Sequence, residues 1–342
     1  MKNLVTSVLF VLAFAAAHLA QAQTIRRVNN TGISGTNIYS DLPAALTAAA
    51  AGDIIQVEPS GTPYSATVVT KNVTIVGPGY FLDPTQNPGL QANPTTATVN
   101  SIDIQAGGES AYIAGLTVGT YSVRVSNVTV QRCNITGQLI PNYNSPAIPL
   151  TNINVLQCYF SQNSTGGNIN TYAGGAIDNL LFSNNIFLGY TAMPTNYNGG
   201  FFNNVVIGVQ GTNMNNFFVT NNYFTHNTNY GGNDFNGAGN TLSNNISRDA
   251  SLPTTNGNQI NVPVSAVFNL SPGATAFDAW YLLKTGTNPA RGTGQGGTDV
   301  GAFGGNAPYK LGGLPNIPAI YQQTQTITGN SLNGTLSTRS NN

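Results

Sequence analysis

The sequence predicts an all-β solenoid, a coil of parallel strands in which one short unit stacks on the next. Three observations carry this. A unit recurs from Ile113 to Ser247: an apolar residue, two others, a special residue, one other, then an apolar residue. Its steps of about 17 to 27 residues lie in the range of solenoid repeats. No helical periodicity runs between 99 and 247, whereas Val, Ile, Phe and Thr, which suit strands, dominate the units. The special residue is Leu116, Cys133 and Cys158, then Asn185, Asn204, Asn222 and Asn245. If rungs stack about 4.8 Å apart, those four amides form one internal ladder, each bonding the next above and below.

The elements follow in order. Residues 1–22 read as a signal peptide: Lys2 gives a positive start, Leu4 to Ala17 is apolar, and Ala20-Gln21-Ala22 has the small-x-small form of a cleavage site. The apolar run is shorter than the roughly 20 residues of a membrane span, and no later segment is long and apolar enough to make one. The mature chain is expected to start at Gln23 and to be exported to the periplasm, the cell surface or the medium. Asp41 can cap a short helix, with Pro43 in its first turn and Gly52 at its end. That Ala-rich helix would cover the open N-terminal edge of the coil. The repeats then run through the middle of the chain, each reading as strand, tight polar bend, strand. Cys133 and Cys158 fall in the ladder column on adjacent rungs, close enough for a disulfide; a reduced pair packed as small apolar residues fits equally. Residues 311–342 change composition: Pro315 and Pro318 make a linker, and Ile320 to Thr328 and Leu332 to Arg339 form either a hairpin across Gly329-Asn330 or a loose tail.

Two end segments carry a family resemblance. One is Asp41-Leu-Pro-Ala-Ala-Leu, Ala51-Gly-Asp53-Ile-Ile-Gln-Val-Glu-Pro, Tyr64 and Lys71-Asn-Val-Thr-Ile-Val-Gly-Pro-Gly. The other is Leu282-Leu-Lys-Thr-Gly, Asn288-Pro-Ala-Arg and Gly296-Gly-Thr-Asp-Val-Gly-Ala-Phe-Gly-Gly. With the Asn-Asn-x-Phe repeats, they resemble secreted bacterial right-handed parallel β-helix proteins of the pectate-lyase-like superfamily. The resemblance implies a β-helix over 23–310 whose last rung is 282–304. It does not select a reaction, because that superfamily holds lyases, hydrolases, esterases and non-enzymes.

Composition narrows the function. Eleven basic residues face eleven acidic ones, and charged residues are 6% of the chain, against roughly 25% in an average domain. A nucleic-acid partner needs a basic patch that this balance does not supply. A zinc site is excluded by two Cys with no His nearby. Hydrolases need paired carboxylates, and no two Asp share a rung motif. Polysaccharide lyases abstract a proton beside a uronate carboxylate, using a cation or Ca²⁺ to neutralise it and a base. The candidates are Asp103 and Arg124, expected to face outward on adjacent rungs, and Arg132 beside a bend. Read without chemistry, the first two are an exposed ion pair and the third a solvated residue. Asp234 is a further Ca²⁺ candidate for that reaction. Long insertions after the second strand of each repeat, at 137–151, 161–178, 189–199 and 225–239, fall on one flank. They carry Tyr143, Tyr172, Tyr190, Tyr197, Tyr230, His226 and Asp234 among Asn, Ser and Gly. Tyr faces stack on sugar rings and amides bond hydroxyls. The expected function is therefore a carbohydrate-binding or cell-surface interaction module with no cofactor and a polysaccharide or cell-surface glycan as partner. The alternative is a polysaccharide lyase acting by β-elimination on an acidic glycan, with Ca²⁺.

Overall fold

The computed structural model describes residues 23–143, 149–161, 168–170, 175–189, 196–207, 214–225, 238–270 and 277–340. The expected signal peptide, 1–22, lies outside them. The chain is a parallel β-helix. Successive strands alternate between two sheets of eleven and nine strands, and each strand pairs with the one a full turn later. Thus Thr129–Gln131 lies between Tyr112–Ala114 and Leu150–Leu156 in one sheet, while Asn134–Pro141 lies between Thr117–Val123 and Tyr159–Phe160 in the other. Alternation along the strands sends Ile102, Ile104, Tyr121, Val123, Val130 and Val155 inward, all fully buried. In the later rungs Phe takes over the interior, and Phe160 stacks on Phe187 with ring centroids 4.4 Å apart.

The capping helix is Leu42–Ala48. Asp41 accepts the Ala44 N–H at 2.7 Å, and Leu42, Ala45 and Leu46 bury into the coil. The helix ends at Ala48, and Lys71 Nζ donates to the carbonyls of Leu46, Thr47 and Ala49. Gly52 lies beyond the helix in the turn before Ile54–Val57, with φ +89°.

The repeat is a three-residue device. The ladder residue points inward. Asn185 Nδ2 donates to Asn204 Oδ1, Asn204 to Asn222 and Asn222 to Asn245, all at 3.0 Å. Each Oδ1 also accepts the previous ladder residue's backbone N–H. The ladder continues one rung past its expected end, through Asn258. It starts on sulfur: Cys158 donates its backbone N–H to Asn185 Oδ1 at 2.8 Å, and Cys158 Sγ accepts the Cys133 N–H at 3.5 Å. Both cysteines are free thiols.

The residue before each ladder position turns the corner in the left-handed region: Arg132, Gln157, Asn184, Asn203, Asn221 and Asn244 have φ between 51° and 61°. Asn tolerates that conformation best among residues with a Cβ. The residue after it, Tyr159, Ile186, Val205, Tyr223 or Ile246, points outward yet is buried.

What buries that stripe is the segment expected to form the last rung. Residues 289–316 do not coil. They run back along the outside of the helix as a strap, from the last rungs to the first, over the apolar stripe. Val300, Ala302 and Tyr309 pack onto it, and the corner side chains grip the strap's backbone. Asn244 donates to Thr293 O, Asn203 to Asp299 O, Asn184 to Ala302 O and Gly304 O, and Gln157 to Ala307 O and Pro308 O. The strap must fold tightly over the corners. At Gly304 a Cβ would stand 1.9 Å from Asp299 O. The resemblance read a solenoid turn because glycine spacing alone does not distinguish a turn from a strap.

Beyond it, Ala319–Thr328 and Ser331–Arg339 pair antiparallel across Gly329-Asn330. The ribbon projects from the coil, anchored by Ala92 N–H to Ile320 O at 2.8 Å and Arg339 to Leu90 O at 3.1 Å.

Candidate functional site

The strongest surface site lies at the corner where strands of the nine-stranded sheet end and the next strands of the other sheet begin. Asp103, on Thr98–Ile104, pairs in register with Ser122 on Thr117–Val123, which brings Arg124 beside it. Arg124 Nε donates to Asp103 Oδ1 at 2.8 Å and a terminal nitrogen to Oδ2 at 2.6 Å. Gln105, two residues on and therefore on the same face, donates to Oδ2 at 2.8 Å. The Tyr143 ring covers the guanidinium, its centroid 4.4 Å from Cζ. Two of the lyase candidates, Asp103 and Arg124, and the first glycan-loop tyrosine thus form one cluster, which reasoning by repeat position kept apart.

Around the same corner stands a second row of amides, also in the left-handed region: Asn127, Asn152 and Asn179. Asn152 Nδ2 donates to Asn127 Oδ1 at 2.9 Å, and Asn179 Nδ2 to Asn152 Oδ1 at 2.7 Å. Asn198 continues the row: it accepts the Asn179 N–H and donates to Asp178. Unlike the internal ladder, Asn127, Asn152 and Asn179 are exposed. Each amide has two N–H groups and two acceptor lone pairs. The middle amide, Asn152, spends one donor and one acceptor on its neighbours and turns the rest to solvent. The sequence signal was an Asn three residues before the apolar residue that opens a unit, Asn127 before Val130, Asn152 before Val155, Asn179 before Phe182 and Asn198 before Phe201, which the pattern centred on the ladder passed over.

The other candidates fall elsewhere. Arg132 is no solvated residue: it is 4% exposed. It donates to Gln157 Oε1 at 2.8 Å, Leu314 O at 2.7 Å and Asn316 Oδ1, holding the end of the strap, and burial pulls its pKa down. Tyr197 does not sit in a loop. It opens strand Tyr197–Phe202, is 1% exposed, and donates its hydroxyl to Pro141 O at 2.9 Å. The insertion expected from 137 likewise begins as strand, since Asn134–Pro141 continues through it. Tyr172, Tyr190, His226, Tyr230 and Asp234 lie outside the described residues.

The geometry bears on the two chemistries. Arg124 commits its Nε and a terminal nitrogen to both oxygens of one carboxylate and lies under the Tyr143 ring, a geometry that does not present it to a substrate as a base. The Asp103 carboxylate already accepts three hydrogen bonds. Among the described residues no three His, Cys, Asp or Glu side chains gather as metal ligands, and none of their helices is long and apolar enough to cross a membrane. What the corner offers is a covered, charge-neutral aromatic platform beside a row of solvent-facing amides. No protein family, curated protein or solved structure matches the chain.

Proposed function

We propose that the protein is an exported β-helix module that binds a neutral glycan at this corner. The observation that carries the reading is the pairing of Tyr143 over the neutralised Arg124–Asp103 pair with the exposed amides of Asn127, Asn152 and Asn179. Hydroxyls of an uncharged sugar match amide donors and acceptors without the desolvation of a net charge. Amides repeated at the rung spacing of about 4.8 Å suit a chain of sugars, each ring roughly one rung long. The export part rests on Lys2, the apolar run to Ala17 and Ala20-Gln21-Ala22. The kinship proposed with the pectate-lyase-like superfamily rests on the coil, the capping helix and the quoted end segments.

Affinity electrophoresis of the mature chain against neutral and acidic polysaccharides, with and without Ca²⁺, tests this. Retardation by a neutral glycan is expected. It should weaken about tenfold, the loss of one stacking contact, in Tyr143→Ala and in an Asn152→Ala/Asn179→Ala double variant. Rising ultraviolet absorbance from unsaturated sugar ends on an acidic glycan would instead identify a lyase and overturn the reading, as would retardation that neither variant reduces.

A further inference from the structure

We infer that the C-terminal ribbon is a self-association surface, and that its occupant is the same ribbon of a second copy of the chain. The register puts cross-strand partners on one face, and side chains alternate between faces. One face carries Thr324, Thr326, Thr328, Ser331, Asn333 and Thr335, all hydroxyls and amides. The other carries Ile320, Ile327, Leu332 and Leu336, with Gln323 and Gln325 between them. This is the binary pattern of a half-buried sheet, yet among the described residues nothing covers Ile327, Leu332 and Leu336 on the apolar side. Ile327 is 79% exposed, Leu332 67% and Leu336 61%.

Elsewhere the fold closes its sheet ends. The capping helix packs on the first turn, and Asn258 with residues 259–262 bonds the last. Among the described residues the ribbon's strands pair with each other and, apart from the Ala92 bond to Ile320 O, with no third strand, and a two-stranded hairpin by itself is marginal in water.

Charge selects the occupant. No charged side chain and no proline occurs from 319 to 338, so the usual devices that repel another strand are missing. A surface without charge is complementary to itself, as an isologous contact between identical copies requires. A basic or acidic partner would find nothing to pair with. Each ribbon is about 33 Å long, so two apolar faces stacked together bury on the order of 1,000 Å², the lower bound of specific interfaces. That size makes the dimer concentration-dependent. A cleft of about 620 Å³ between the ribbon's apolar side and the coil extends the contact: Gln56, Gln91 and Asn93 on the coil face Gln323 and Gln325 across it. These amides can receive the threonines at the rim of the incoming ribbon.

Sedimentation velocity of the mature chain over a wide concentration range reads the prediction. Wild type should move from monomer to dimer. A Leu332→Lys/Leu336→Lys variant should weaken the dimer by at least about a hundredfold, with an unchanged melting temperature because the ribbon stands outside the core. Two single-cysteine reporters locate the face, since Cys133 and Cys158 are fully buried. A short bismaleimide should join Leu336→Cys copies and leave Thr335→Cys copies, on the hydroxyl face, separate. A wild type that stays monomeric throughout overturns the inference, as does a lysine variant that dimerises as tightly as wild type, or linking through position 335 instead of 336. Each outcome is independent of glycan binding at the Tyr143 corner.

Discussion

Replacing Asn204 by Ala isolates what the internal ladder contributes. The side chain is wholly buried. Its Oδ1 accepts the Asn185 N–H at 2.9 Å and Asn185 Nδ2 at 3.0 Å; its Nδ2 donates to Phe182 O at 3.1 Å and Asn222 Oδ1 at 3.0 Å. Truncation removes four hydrogen bonds. Two of the former partners keep another: Asn185 Nδ2 still reaches Val155 O, and Asn222 Oδ1 still accepts the Asn204 backbone N–H. The Asn185 backbone N–H is left in the interior without its acceptor. An orphaned buried donor costs about 1–3 kcal/mol and the remaining bonds about 1 kcal/mol each at most, so the expected loss is about 3–5 kcal/mol. That is a large share of a total stability of about 5–15 kcal/mol. Asn204→Cys restores an acceptor of the kind the chain itself uses at Cys158, and should recover about half of the loss. Urea unfolding followed by circular dichroism gives both values, provided the slope with denaturant is unchanged. A loss below about 1 kcal/mol in the alanine variant, or equal losses in the two variants, would refute the claim that amide pairing rather than volume holds the corner.

A buried carboxylate in the turn Phe277–Tyr281, which holds the strap at Gly312, gives a pH signature. Asp278 accepts the N–H groups of Gly312 and Ala279, and burial pushes its pKa up to about 6 from 3.8. Between about pH 4 and 6 the folded chain therefore holds more protons than the unfolded one, and stability falls as pH rises, by about 3 kcal/mol in all. Asp278→Asn does not titrate, so its unfolding free energy relative to wild type should climb by that amount from pH 4 to pH 7; a flat difference counts against the burial argument. Arg132→Met removes the grip on Leu314 O and Asn316, and limited proteolysis should then cut near residues 305–318 at least tenfold faster than in wild type, following the opened fraction. An unchanged digestion rate would show that the apolar stripe holds the strap alone. Cys133 and Cys158 should be silent to a thiol reagent in the folded chain and react as two thiols in denaturant; a single or absent equivalent after unfolding would contradict the free pair.

The coil was legible because strand alternation and the Asn column are local patterns that stacking converts directly into contacts. Asp103 and Arg124 were placed correctly for the same reason: two inward apolar neighbours dictate which way each points. Tyr143 was assigned to the flank, but its position over Arg124 depends on where strand Asn134–Pro141 ends, which periodicity does not state. Arg132 and Tyr197 show the limit more sharply. Both are polar and lie in polar stretches, and both are buried by segments far away in the chain, the strap for one and the neighbouring rungs for the other. The outward apolar residue after each ladder position was the available signal for a covering element, since Tyr159, Ile186, Val205, Tyr223 and Ile246 would otherwise waste an exposed stripe.

The strap changes how such a coil can fold. A solenoid in which each turn touches only its neighbours melts from its ends and grows from any point. Here Arg132 is bonded to a residue 182 positions later, and every corner from Asn244 back to Arg132 waits for chain that follows all the turns of the coil. Late closure raises the loop entropy that must be overcome before these contacts form, and it couples distant turns into one cooperative unit. The turns would thus stay open until the strap itself was present, and only then lock together along the coil.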